Sequence, residues 1–112
     1  MSRKQQQFTR SRRQGDILLL RINSIPPDAR KEDRPPGASL LLGEGEAPGH
    51  RHEILDPGVE AYRRAEGFYL DVVEEDVGLI HPQHGRVALL PGSWEVIRQH
   101  EFTRKEFRQV QD

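Results

Sequence analysis

Cysteine is absent from this 112-residue chain. That excludes disulfide scaffolds, thiolate nucleophiles and every zinc site built on sulfur ligands. Aromatic residues are scarce, with one Trp, two Tyr and four Phe. Hydrophobic residues make up 34% of the chain against 31% charged, so the core must be small and carried by a few dense apolar runs. No apolar run approaches the ~18 residues of a membrane span, and no apolar stretch follows Met1-Ser2-Arg3-Lys4-Gln5. Neither a spanning helix nor a secretory leader is therefore expected, and the expected setting is cytoplasmic. The phosphate-cradling Gly-x-x-x-x-Gly-Lys and the nucleophile-bearing Gly-x-Ser-x-Gly are both missing.

Turn formers, by contrast, are plentiful. Ten Gly and eight Pro break the chain into short pieces and argue against long helices. Ile17 to Ile22 is a continuous apolar stretch bounded by turn residues, as expected of a buried strand. Pro26, Pro27, Pro35 and Pro36 surround the charged cluster Arg30 to Arg34, which reads as a long exposed connection. Further strands are expected at Ala38–Leu42, His50–Leu55, Val59–Arg63, Phe68–Val73, Val77–His81, Arg86–Leu90 and Trp94–Arg98. About eight short strands at near-regular spacing predict an all-β domain, a small barrel or jelly-roll-like sandwich. Thr103 as N-cap with Glu106 three residues on predicts a short C-terminal helical turn.

The length predicts one domain, near the mode of ~100–150 residues. Its expected extent is residues 15–112, preceded by a flexible arm over residues 1–14. That arm holds Arg3, Lys4, Arg10, Arg12 and Arg13 and no acid, although the formal net charge of the whole chain is −1. Such a run is either a solubilising tail or a source of attraction to a phosphate backbone or an acidic partner.

The histidines carry the chemistry. All five lie between positions 50 and 100, four of them as His50-Arg51-His52 and His81-Pro82-Gln83-His84. Residues i and i+2 of a strand share a face, so His50 and His52 can turn two imidazoles toward one point. His81 and His84 need a turn, which Pro82 and Gly85 supply. Three or four imidazoles suit a divalent transition metal: Zn, Fe, Ni, Cu or Mn. An open position would suit catalysis, and a filled shell a structural ion. Two other readings stand beside this one: imidazoles hydrogen-bonded within a sheet or polar cleft, and a proton-responsive cluster. Among nearby carboxylates, Glu46 in the flexible turn before His50 is the candidate general base for a metal-bound water. Solitary His100 reads as a surface residue. Trp94, Phe68, Tyr69 and Tyr62 fall on strand positions and read as core rather than as a base-stacking platform.

Two resemblances follow from these motifs. Gly49-His50-Arg51-His52, with a second histidine turn about thirty residues later and Leu90-Pro91-Gly92-Ser93-Trp94-Glu95-Val96, resembles the cupin superfamily. That likeness implies a small jelly-roll barrel with a divalent metal inside it. His50 and His52 would match the first motif, with His81 or His84 as a third ligand. Over nearly the whole chain, Gln14-Gly15-Asp16, Gly43-Glu44-Gly45-Glu46, Gly49-His50-Arg51-His52, His81-x-x-His84, Leu90-Pro91-Gly92 and Gln99-His100-Glu101-Phe102 resemble a group of small uncharacterised bacterial and phage proteins. This second likeness implies that the two histidine pairs belong together and brings no activity.

Three functions remain open on the sequence. The first is a metal-binding β domain, with metal-assisted chemistry on a small molecule or nucleotide if it is an enzyme. The second is a non-enzymatic module that contacts nucleic acid or a phage-related assembly through its basic arm. The third is a structural homo-oligomer joined at exposed strand edges.

Overall fold

A computed structural model describes residues 11–45 and 49–98. Ten strands run in order: β1 (Ser11–Gln14), β2 (Ile17–Ile22), β3 (Arg30–Lys31), β4 (Leu40–Glu44), β5 (Arg51–Ile54), β6 (Val59–Arg64), β7 (Gly67–Val72), β8 (Val77–His81), β9 (His84–Leu89) and β10 (Gly92–Arg98). They form a six-stranded sheet in the order β1-β2-β10-β7-β6-β3 and a four-stranded sheet in the order β4-β5-β8-β9. Every pairing is antiparallel. The all-β expectation holds, with two sheets packed as a sandwich rather than closed into a barrel. No helix occurs among the described residues.

The core lies between the sheets and follows the period of two along each strand. Ile17 and Leu19 of β2 are buried while Leu18 and Leu20 are half-buried. Trp94 and Val96 continue the same inward face on β10, where Val96 stands opposite Leu19. Trp94 is fully buried, and its indole N–H donates to Leu90 O at 3.0 Å, so its burial leaves no donor unsatisfied. Leu40, Leu42, Ile54, Val77, Leu79 and Leu89 face them from the smaller sheet. Of the other aromatics expected inside, Phe68 belongs to this core and Tyr69 is buried, whereas Tyr62 is only half-buried, with its hydroxyl donating to Glu60 Oε1 at 3.3 Å.

Several expected boundaries move. Residues 11–14 of the predicted arm form β1, because Ser11 to Gln14 pair with Leu20 to Ile17 across a two-residue turn. Gly15 takes φ +59° there, the arrangement of a type II′ hairpin turn, which suits the right-handed twist of the strands. The proline-rich connection contains β3, whose Arg30 and Lys31 pair with Arg63 and Tyr62. Arg34 fastens that connection down, donating to Ala38 O, Val59 O and Ile54 O. The expected strand at 38–42 lies at Leu40–Glu44. β5 begins at Arg51, leaving His50 just ahead of it, and β9 begins at His84, two residues earlier than expected. The rest of the predicted arm, Glu46, His100 and the C-terminal helical turn lie outside the described residues.

Candidate functional site: a histidine cluster at one end of the smaller sheet

The cluster begins with two strand irregularities. β8 and β9 pair Leu79 with Val87 but His81 with His84, a register shift of one residue. Without that bulge His81 would face Gly85. With it, His84 comes directly opposite His81 across the Pro82-Gln83 turn, where opposed side chains share a face. The spacing i, i+3, which fails to share a face along one strand, succeeds across a two-residue hairpin. A second shift between Leu41 and Gly43 sets Gly43 opposite His52. A side chain at Gly43 would strike Ile17 Cδ1 at 2.9 Å.

The two histidine pairs therefore meet. Ring centroids are 4.3 Å apart for His52 and His81, 4.5 Å for His81 and His84, and 5.9 Å for His52 and His84. His50 stands edge-on to His81 at 5.6 Å. His52 is 3% exposed, His50 and His81 are half-buried, and His84 is open to solvent. The site is thus graded from a fixed, dry imidazole to an accessible one.

Two residues from the first hairpin complete it. Gln14, itself buried, donates its amide N–H groups to Leu79 O at 2.8 Å and Gly85 O at 2.9 Å, the carbonyls flanking the β8–β9 bulge. Its Oε1 lies 2.9 Å from His52 Nδ1. Because the amide nitrogen is committed to two acceptors, Oε1 is fixed as an acceptor, and Nδ1 of His52 must be the donor. Nε2 of neutral His52 then carries the lone pair, and Asp16 Oδ1 stands 3.3 Å from it. Gly15 sits between these two residues. A Cβ there would lie 2.9 Å from His84 Nε2 and 3.1 Å from His52 Cε1, so the turn touches the rings with bare backbone.

Arg98, at the end of β10, closes the far side. Its Nη2 donates to Glu44 O at 2.9 Å and lies 3.8 Å from Asp16 Oδ2. Burial, and then the neighbouring His81, push the His52 pKa down against the opposing pull of Asp16. Burial also lowers that of His81, with His84 and His50 adding to the effect. Both rings therefore resist protonation. His81 Nδ1 accepts the backbone N–H of Gln83 at 3.0 Å, which leaves its Nε2 protonated in the neutral ring. Among the described residues, no three His, Asp or Glu side chains already form a group arranged to hold a metal ion.

The sequence named the four histidines and missed Gln14, Asp16 and Arg98. Gln14-Gly15-Asp16 carried a usable signal, a glycine turn ahead of a strong strand, but nothing local says which hairpin lies over it. Arg12 and Arg13 of the predicted nucleic-acid arm are exposed on β1, and Arg12 Nε donates to Ala88 O at 3.2 Å. Arg3, Lys4 and Arg10 lie outside the described residues. No curated protein and no solved structure gives a significant match to the chain. Residues 13–99, which span the fold from Arg13 in β1 through the end of β10, match the family described as Domain of unknown function (DUF8820), and the chain belongs to that family.

Proposed function

We propose that this protein binds one divalent transition-metal ion, with His52 as the fixed ligand, His81 and His84 as the adjustable ones, and His50 and Asp16 beside them. The carrying observation is that buried His52 places Nε2 3.3 Å from the Asp16 carboxylate while Gln14 occupies its Nδ1. Burial disfavours a proton on His52, so its Nε2 and the Asp16 carboxylate, which also lies 3.8 Å from the Arg98 guanidinium, offer a metal ion a nitrogen and an oxygen donor side by side. From nitrogen and oxygen bond lengths of ~2.0–2.2 Å, two ligands of one tetrahedral zinc ion stand about 3.4 Å apart. The observed separation suits that spacing. Gln14 acts as the outer partner that metal-bound imidazoles usually have, holding the tautomer and the ring plane.

Taking up the ion requires the rings of His81 and His84 to turn, and the His81 ring must give up its bond to Gln83. His81 is half-buried and His84 exposed, which gives both rings room on the solvent side. The ion could be Zn, Fe, Ni, Cu or Mn, since an imidazole-carboxylate set does not choose sharply among them. With an accessible side at His84, it supports a Lewis-acid or water-activating role on a small molecule or nucleotide. The cupin likeness points the same way through its paired histidines, although Trp94, after the Pro-Gly turn where a cupin would bring its second-motif histidine, is core here.

Metal analysis of tag-free protein, with and without His52→Ala, tests the reading. About one equivalent of metal is expected in the native chain and loss of it in the variant. Less than about a tenth of an equivalent, with no thermal shift on adding Zn, Mn, Ni or Fe, overturns it, since a bound ion must raise the melting temperature.

A second reading draws on exposed Arg12 and Arg13, which extend the basic run of residues 3–13 onto an edge strand. A nucleic-acid partner in a cytoplasmic or phage-related assembly would give retention that weakens with salt, and deleting residues 2–10 would flatten that slope. A homo-oligomer joined at exposed strand edges would show a mass that changes with concentration in light scattering. No described helix is long and apolar enough to cross a membrane.

A further inference from the structure

A cleft of about 540 Å³ opens between the edge strand β4 and the larger sheet, bounded by Leu41 to Glu44, the β6–β7 hairpin end and the last residues of β10. Its size falls in the range of small-molecule sites, roughly 300–1,000 Å³. Arg63, Arg64 and Arg98 reach it, against the two carboxylates Glu44 and Glu66. The β6–β7 turn brings Arg63 and Arg64 to the rim. Each is held in place: Arg63 lies 3.9 Å over the Phe68 ring and bonds Glu32 through Nε, while Arg64 bonds Tyr69 Oη and Asp28. A guanidinium has five N–H donors, and these bonds engage one on Arg63 and two on Arg64.

Arg98 is the link between cleft and cluster. It lines the cleft, and its Nη2 is also within 3.8 Å of Asp16, the carboxylate facing His52. A ligand in the cleft would therefore lie one side chain away from the histidines. Guanidinium forks bind oxyanions in paired, charge-assisted hydrogen bonds.

We propose that this cleft binds a small oxyanion, a phosphate or a polycarboxylate, and that Arg98 directs it toward the histidine centre. The statement rests on the metal-binding reading only for what the anion meets at the cluster, and the cleft itself stands apart from that reading. A molecule carrying such a group would be the substrate class of the centre, with the guanidinium rim choosing it by charge.

The test uses the full chain with uniform ¹⁵N labelling, as purified and again after dialysis against a chelator, with metal content measured on the same samples. Inorganic phosphate and malonate are titrated separately against a sodium chloride control of equal ionic strength. Saturable amide shifts at Gly43, Gly67 and Val96 are expected for one or both anions, in both preparations. Phosphate alone identifies the phosphate source and malonate alone the carboxylate source. Arg98→Gln should weaken binding about tenfold, as the loss of one charge-assisted contact. Should that variant lose its dispersed spectrum, Arg63→Gln serves in its place with a smaller expected weakening. The proposal is overturned if no saturable shift occurs, or if shifts occur equally at exposed Arg30 and Arg51. Shifts that vanish with the chelated metal and ignore Arg98→Gln would also overturn it, because the anion would then be sitting on the ion. Cleft shifts in a protein that carries no metal as purified and shows no thermal shift on adding zinc would uphold the cleft and sink the metal reading.

Discussion

Oε1 of Gln14 accepts the Nδ1 proton of His52 across 2.9 Å, joining the first hairpin of the chain to the fifth strand. Through the same amide, Gln14 holds both carbonyls at the bulge that sets His81 against His84. One buried side chain thus fixes the tautomer of one histidine and the strand register that brings the other two to it.

Gln14→Ala should therefore be costly twice over. It strands one imidazole donor and two carbonyls, each buried unsatisfied group costing about 1–3 kcal/mol, less where water can enter. Urea denaturation should show a lowered midpoint with an unchanged slope. Zinc affinity, measured by competition with a chromophoric chelator, should fall about 10–100-fold, the usual effect of removing an outer partner of a ligating histidine. Unchanged affinity in a folded variant would detach Gln14 from the metal site.

Gly15→Ala tests the turn. Its φ of +59° is one that L side chains avoid, and the added methyl would press on His84 Nε2 at 2.9 Å. Left-handed backbone alone costs about 1–2 kcal/mol. The denaturation midpoint should drop, and metal uptake should weaken as the rings are pushed apart. By contrast Gly85→Ala, where a Cβ meets nothing within 4 Å, should leave the metal site intact.

The pH dependence has a definite sign. His52 and His81 have folded-state pKa values below the ordinary 6.5, chiefly because burial disfavours the charged ring. The unfolded chain therefore binds more protons in this range, and stability rises with pH there. Their contribution is complete above the unfolded value and is lost as pH falls through the folded ones. Melting temperature in chelator-treated protein should fall on going from neutral pH to mildly acidic pH. His52→Asn should flatten that decline, and a decline identical to that of the native chain would remove His52 as its source.

Much of the fold could be read from local pattern. The continuous apolar run Ile17 to Ile22 between turn residues, the period of two from Trp94 to Arg98, and the turn residues Ala65-Glu66-Gly67 between two apolar runs each announce strands. Short β3 escaped notice, since its two charged residues are exposed and its pairing with β6 depends on a distant strand. Residues 11–14, which fall in a strand rather than in the expected arm, escaped notice for a related reason. Ser11 to Arg13 are exposed on an edge strand, so no apolar alternation marks them.

The amino-acid order alone determined that the domain is all-β and that its histidines fall in two pairs, each close along the chain. Side-chain period and turn chemistry are local properties, and they act wherever the strands end up. Tertiary structure decided the rest: the one-residue bulge that opposes His81 to His84, the Gln14 amide that sets the His52 tautomer, and the approach of Asp16 and Arg98. The Gln14 contacts join residues 38 to 71 positions apart, and Asp16 reaches His52 from one sheet to the other. They exist only because sheet pairing brings separate hairpins to one place, and no local propensity encodes which backbone carbonyl a buried amide will meet.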